Sequence, residues 1–303
     1  MTSPLKSPAL RPLRGVRVLS LALNLPGPAA LMRCRHMGAT CIKLEPPPPA
    51  GSAPGASGDP MSWYKRAAYD EMHQGVRVGA ADLKTEKGQK ALHRELAKAD
   101  VLLTSFRPSA LRKLGLQWKV LHKLYPALSI VAIVGAPGDR ADEPGHDLTY
   151  QAESDLVTGL DLPPTLYADM GGSLMASEAV LQAMLVRQQK GQGCYVEVAL
   201  SEAAAYLALP RSWGVTKPGE AVGGGHAGYQ VYACQDGRVA MAALEPHFAK
   251  ALCAVAGVAD ASIQSMLLPA TRRVIADYLR TKTRKALDKL AVEKDIPLYT
   301  LSN

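Results

Sequence analysis

Three short motifs carry side chains able to do acid–base or nucleophilic chemistry: Gly145-His146-Asp147, Ala168-Asp169-Met170-Gly171-Gly172 and Leu244-Glu245-Pro246-His247-Phe248. Histidine is the side chain that most readily exchanges protons near neutral pH. His146 follows an apolar strand pattern and a loop, a place where clefts form. An ordinary loop histidine fits the same pattern. Asp169 precedes a long helical pattern. Its carboxylate either caps the helix N-terminus or faces a ligand that the following glycines allow close to the backbone. Glu245 stands before Pro246, and proline favours the first helical position. It is a helix-start carboxylate or a catalytic one, and capping is the reading the residues alone favour. His146 and Asp169 are 23 residues apart (169 − 146), a spacing that does not by itself bring them together. The Gly-x-Ser-x-Gly elbow of serine hydrolases is absent, so that chemistry is not expected.

Other chemistries are disfavoured on composition. The five cysteines, Cys34, Cys41, Cys194, Cys234 and Cys253, are odd in number, widely spread and without CxxC or zinc-type spacing. They read as reduced core thiols of a cytosolic protein, and no metal site or prosthetic group is expected. The net charge is +8, but the basic residues are dispersed and aromatics are only 5%. Nucleic-acid binding needs clustered cations with stacking rings, so a small polyanion such as a nucleotide or CoA phosphate is the better match. No apolar run approaches the roughly 20 residues that span a bilayer. Residues 1–15 hold basic but no acidic residues and lack an apolar core. They read as a short arm broken by Pro4, Pro8 and Pro12 rather than a secretory signal. The last three residues, Leu-Ser-Asn, are no peroxisomal address.

The elements that must position these residues follow from hydrophobic patterning. Residues 16–21 (VRVLSL) and 40–44 (TCIKL) read as strands around a helix at 29–37 that Gly38 ends. This is a βαβ unit, which implies parallel strands and a right-handed crossover. The Pro-, Gly- and Ala-rich stretch 46–60 is expected to be a solvent-exposed insertion. Strands at 77–83, 100–104 and 128–134 alternate with helices at 85–99 and 108–114, so an open, mainly parallel α/β sheet is expected. Ligands of such sheets lie beyond the carboxyl ends of the strands. The turns at 24–28, at 105–108 and from Gly135 onward are therefore where a site should be. A long helix at 172–189 leads to a strand at 194–200. Strands at 230–234 and 238–243 flank Gln235-Asp236-Gly237 as a hairpin, and residues 269–290 form a basic helix. Gly223-Gly224-Gly225-His226 is a weak candidate for a phosphate loop because no strand precedes it.

These segments together resemble family III CoA-transferases and, within them, the α-methylacyl-CoA racemases. The resemblance is carried by LRGVRVLSLA (13–22), PGPAALMRCRHMGATCIKLEPP (26–47), the stretch 81–116 with its ADVLLTSFRP, GHDLTY (145–150), ADMGGS (168–173), QQKGQGCYVEVAL (188–200) and GYQVYACQDGRVAMAALEPHF (228–248). It implies an α/β large domain, a smaller second domain and an interlocked homodimer. It also implies a CoA thioester as substrate, Lys43 and Arg107 as contacts to the CoA phosphates or adenine, and Gly145, Asp147 and Tyr150 lining the thioester end. In the transferases the carboxylate at the Asp169 position is a nucleophile. In the racemases it works with a histidine at the His146 position as a base/acid pair on opposite faces of the α-carbon, and a glutamate at the Glu245 position lies near the active site. Gly-His-Asp and Asp-Met-Gly-Gly are similar to the racemase pattern.

Residues 72–77 depart from the family's usual Asn-Arg-Gly-Lys-Arg-Ser, so at least two cations that would face CoA are absent. The chain is also read as a shortened member, with abbreviated segments at 135–145 and 160–169 and a reduced second domain. The expected division is 1–205 for the CoA-binding domain and 206–303 for the second. The activity so implied is epimerisation of a 2-methylacyl-CoA by proton transfer through His146 and Asp169. CoA transfer through an acyl-Asp169 intermediate is the alternative, and a non-catalytic CoA-binding paralogue is a third reading.

Overall fold

The computed structural model describes residues 10–53 and 55–302. The first nine residues of the expected N-terminal arm lie outside the described residues. The chain divides into two compact units, the first ending at Ala208 and the second beginning at Leu209.

In the first unit six strands form one parallel sheet: β1 (Arg17–Ser20), β2 (Thr40–Glu45), β3 (Arg77–Ala80), β4 (Val101–Thr104), β5 (Ser129–Val134) and β6 (Tyr195–Ala199). Their order is β3-β2-β1-β4-β5-β6. Every residue of β4 and β5 is buried. Their near-continuous apolar runs are what a parallel sheet covered on both faces requires. The two-residue period of the strands sends Val101, Leu103, Val131 and Ile133 to one face. There they pack with Leu31 and Cys34 of the helix Pro26–His36 and Ala176 and Val180 of the helix Tyr167–Lys190. Leu102, Ile130 and Ala132 go to the other face, against Leu92, Leu96, Leu111 and Leu121. Leu92 and Leu96 are the i, i+4 pair that fixes the helix Glu86–Leu96 to the sheet. An isolated helix of that length is marginal in water, so this burial holds it. Strand order reverses between β1 and β4, which opens a crevice beyond their carboxyl ends.

Several segments differ from expectation. The stretch 46–60 is not wholly solvent-exposed: Ser57 and Asp59 are buried, bonded to Glu45 and Lys43 of β2. The short helices Met61–Tyr64, Arg66–Met72, Trp118–Leu124 and Asp147–Glu153 carried too few turns for a legible periodicity. The long helix begins at Tyr167, five residues earlier than the apolar pattern suggests, so Asp169 lies within its first turn.

The second unit holds an antiparallel sheet of β7 (Tyr229–Cys234), β8 (Gly237–Ala242) and β9 (Leu298–Leu301), in that order. Val239, Leu252, Ile275, Leu279 and Leu287 are in its core. The basic stretch expected as one helix is two, Pro269–Arg280 and Arg284–Lys294. Thr283 breaks it, because its side chain accepts the Ala286 N–H and starts a new helix. No described helix is long and apolar enough to cross a membrane.

Candidate active site

A cleft of about 640 Å³ opens at the strand-order reversal of the first unit. The turn after β1 supplies Leu23, Asn24, Leu25 and Pro26, the turn after β4 supplies Ser105 and Arg107, and the end of β5 supplies Gly135. The three turns singled out from the strand pattern thus meet on one cleft. Gly145, His146, Asp147, Tyr150 and Asp169 also line it, and Pro60, Met61 and Tyr64 close another side.

His146 is exposed and occupies the N-cap position of the helix Asp147–Glu153. Its amide donates to Thr149 Oγ1 at 3.1 Å, and Thr149 Oγ1 donates back to the His146 carbonyl at 2.7 Å. This local clasp fixes the backbone that carries the imidazole. The next residue points inward. Asp147 is 5% exposed, and its Oδ1 accepts the backbone N–H of Asp169 at 2.9 Å. Its Oδ2 accepts from Gln151 Nε2, which sits one turn along the same helix.

Asp169 is partly buried in the first turn of the helix Tyr167–Lys190. Burial, and then the Asp147 carboxylate, push its carboxyl from the ordinary range up to about 7. A helix N-terminus favours a carboxylate. Here desolvation and a like charge outweigh that effect. The result is a carboxyl able both to hold and to release a proton near neutrality.

Tyr150 is 6% exposed, and its hydroxyl lies against two backbone positions. A Cβ at Gly135 would sit 2.2 Å from Tyr150 Oη, and one at Gly145 would sit 2.4 Å from it. Glycine at both places is a steric requirement of the tyrosine. Burial raises the Tyr150 phenol, so it remains a neutral group. Arg107 is exposed beside the cleft, just ahead of Pro108 and the helix Pro108–Lys113.

One expected site residue of this unit stands away from the cleft. Lys43 is fully buried and does not face the cleft. Its ammonium pairs with Asp59 and lies 2.9 Å from Glu45 Oε1 and 2.9 Å from His73 Nε2, so a CoA phosphate would have to displace three protein groups. The Lys43 ammonium is thus engaged by protein groups rather than presented to a ligand. Glu45, Asp59 and His73 are close enough to hold a metal ion, but the Lys43 ammonium already supplies the positive charge among them. Glu245 belongs to the second unit, exposed at the N-cap of the helix Pro246–Ala256. Its side chain makes no capping hydrogen bond there.

Among the cysteines, Cys34 and Cys41 are driven by burial up to about 12, far from a reactive thiolate. The Gly-rich loop at 223–226 follows helices and no strand, in keeping with a weak candidate for a phosphate loop. It precedes strand β7, and His226 Nδ1 accepts the Gly228 N–H. Met61 and Tyr64 are cleft residues that the sequence pattern does not single out. The one signal for them is Asp59-Pro60, an acidic side chain ahead of a proline, a usual turn and helix start.

The model of CoA-transferase family III matches residues 13–303. The chain is 34% identical over 205 residues to the cinnamoyl-CoA:phenyllactate CoA-transferase of Clostridium sporogenes, covering 63% of this chain and 50% of that protein. It is 29% identical over 294 residues to the α-methylacyl-CoA racemase of Mus musculus, covering 90% and 73%. It thus spans about half the length of the Clostridium relative and about three-quarters of the mouse one. A solved CaiB/BaiF family protein from Brucella suis has the same fold, with a TM-score of 0.77 at 23% identity over 97% of this chain and 85% of that one.

Proposed function

Because this chain belongs to CoA-transferase family III, we propose that it is an acyl-CoA enzyme that epimerises the α-carbon of a 2-methylacyl-CoA thioester through His146 and Asp169. The observation that carries this reading is the Asp169 carboxyl at about 7 on the same cleft as His146. One of the pair removes the α-proton, and the electron pair of the broken C–H bond moves into an enolate. The other returns a proton to the opposite face, so the pair holds one proton before and after the reaction and two while the enolate exists. The Asp147 and Leu148 amides open the helix without an intrahelical acceptor and suit the enolate oxygen, whereas the Thr149 and Tyr150 amides already reach the His146 carbonyl. The His146 amide is excluded from that role because Thr149 takes it. Gly145, Asp147 and Tyr150 line the thioester end in this reading. Arg107 offers a guanidinium fork for a CoA phosphate. CoA enters as substrate, with no prosthetic group invoked, and a homodimer is the assembly proposed on family grounds.

A second reading, CoA transfer through an acyl-Asp169 intermediate, is favoured by the transferase names of several relatives. A nucleophilic carboxylate works best fully ionised, and a carboxyl held at about 7 is partly protonated at neutrality. That consideration places epimerisation first. Incubation with a 2-methylacyl-CoA in D₂O separates the two. Deuterium entering at the α-carbon, and lost in His146→Ala, supports epimerisation. CoA transfer to a free acid without exchange supports the second reading. CoA binding with neither reaction supports a non-catalytic CoA-binding protein.

A further inference from the structure

The β1 side of the cleft rests on a buried charge cluster that the proposed chemistry does not use. Lys43 and Asp59 are both completely buried, and Glu45 and His73 are nearly so. The Lys43 ammonium reaches Asp59 Oδ2, Glu45 Oε1 and His73 Nε2. His73 Nδ1 lies 2.6 Å from the Tyr69 carbonyl, which can only accept. The ring proton therefore sits on Nδ1, and Nε2 accepts from the ammonium. Burial, reinforced by Lys43, lowers the His73 pKa and preserves this neutral form.

The other oxygen of Asp59 faces outward along the chain. Asp59 Oδ1 accepts the backbone N–H of Asn24 at 3.0 Å and that of Met61 at 2.9 Å. Asn24 and Met61 both line the cleft. Asn24 has φ +63°, a left-handed conformation that a residue with a side chain keeps when its surroundings fix it. The Asp59 amide is itself held by Ser57 Oγ at 2.9 Å, and the Ser57 hydroxyl donates to Glu45. An unbroken set of hydrogen bonds thus runs from the interior of β2 to both loops at the cleft.

We infer that Asp59 is the positioning residue of the acyl-CoA site, its Lys43-paired carboxylate fixing the Asn24 and Met61 loops against which the ligand packs. This rests on the CoA reading above. A carboxylate accepts at both oxygens, whereas an amide must turn a donor either to the Lys43 ammonium or to the two loop N–H groups. In Asp59→Asn the oxygen stays with the buried Lys43 ammonium, the costlier group to leave facing a donor, so the amide N–H turns on the loops and releases them while the side-chain volume is kept.

The test is calorimetric CoA binding by the full chain, followed by steady-state α-proton exchange. Asp59→Asn should weaken CoA binding by about tenfold or more and raise KM by a similar factor, with kcat changed by less than about threefold. Hydrogen exchange on the unaltered protein gives a second measurement that does not depend on the variant folding. The Asn24 and Met61 amides should exchange more slowly once CoA is added. CoA binding retained by Asp59→Asn, or both amides unchanged on CoA binding, overturns this inference alone. No CoA binding by the unaltered protein overturns the functional reading and this inference with it.

Discussion

Asp147 Oδ1 accepts the backbone N–H of Asp169 at 2.9 Å, so the carboxylate that anchors the start of the long helix is also the charge that helps keep the Asp169 carboxyl at about 7. One residue thereby sets both the place and the proton affinity of the other.

Asp147→Asn should separate these two effects. The asparagine oxygen can still accept the Asp169 N–H, but the like charge is gone, so the Asp169 pKa falls. Burial is the larger cause of the shift and remains, so the fall is partial. A pair that must hold one proton gives a bell-shaped pH–rate profile. Its limb from Asp169 should move to lower pH in the variant. An unmoved profile would remove Asp169 from the titrating pair.

Asp169 should also cost stability when ionised. Its folded pKa, about 7, exceeds the ordinary 3.8. The unfolded chain therefore releases this proton first, and stability falls as pH rises from about 4 to 7. Asp169→Asn should stabilise the protein at pH 8, on the order of 2 kcal/mol given the residue's partial exposure, and have little effect at pH 4. Urea midpoints at the two pH values measure this difference.

Gly135→Ala should destabilise the protein by about 1–3 kcal/mol, because the added Cβ meets the Tyr150 hydroxyl at 2.2 Å. The next ring atom is 3.1 Å away, so Tyr150→Phe removes the worst of the clash. The double variant should recover part of the loss. A double-mutant cycle with no coupling energy would contradict this packing.

Lys43→Met should be among the most destabilising single substitutions, by about 3–5 kcal/mol, since it leaves Glu45 and Asp59 buried without their cation. His73 adds a pH dependence of its own. Burial and Lys43 lower its pKa below 6.5, so the stability it contributes is complete above 6.5 and is lost as pH falls toward the lowered value. Denaturation from pH 8 to pH 5 in an Asp169→Asn background, where the opposite trend of Asp169 is removed, should show this loss, and adding His73→Gln should flatten it.

Much of the fold was legible because its strands are short apolar runs set off by turns. The runs at 101–104 and 129–134 have few alternatives to a doubly covered parallel strand. The helix at 167–172 was missed because Tyr167, Asp169 and the glycines lack an apolar period. The break at Thr283 was missed because the basic, amphipathic pattern runs on through it.

The sequence by itself determined the sheet class, the turns that would carry a site, and the motifs holding His146 and Asp169, because local patterning and residue type suffice for these. Only the tertiary structure decided which of the candidates meet. It put His146, Asp169, Arg107 and Tyr150 on one cleft, turned Lys43 inward, and set Glu245 at a helix start in the second unit. The physical reason is that burial and charge pairing are long-range. Lys43 is a cation at any position on β2, but Asp59 and His73, 16 and 30 residues further along the chain, make it an internal one.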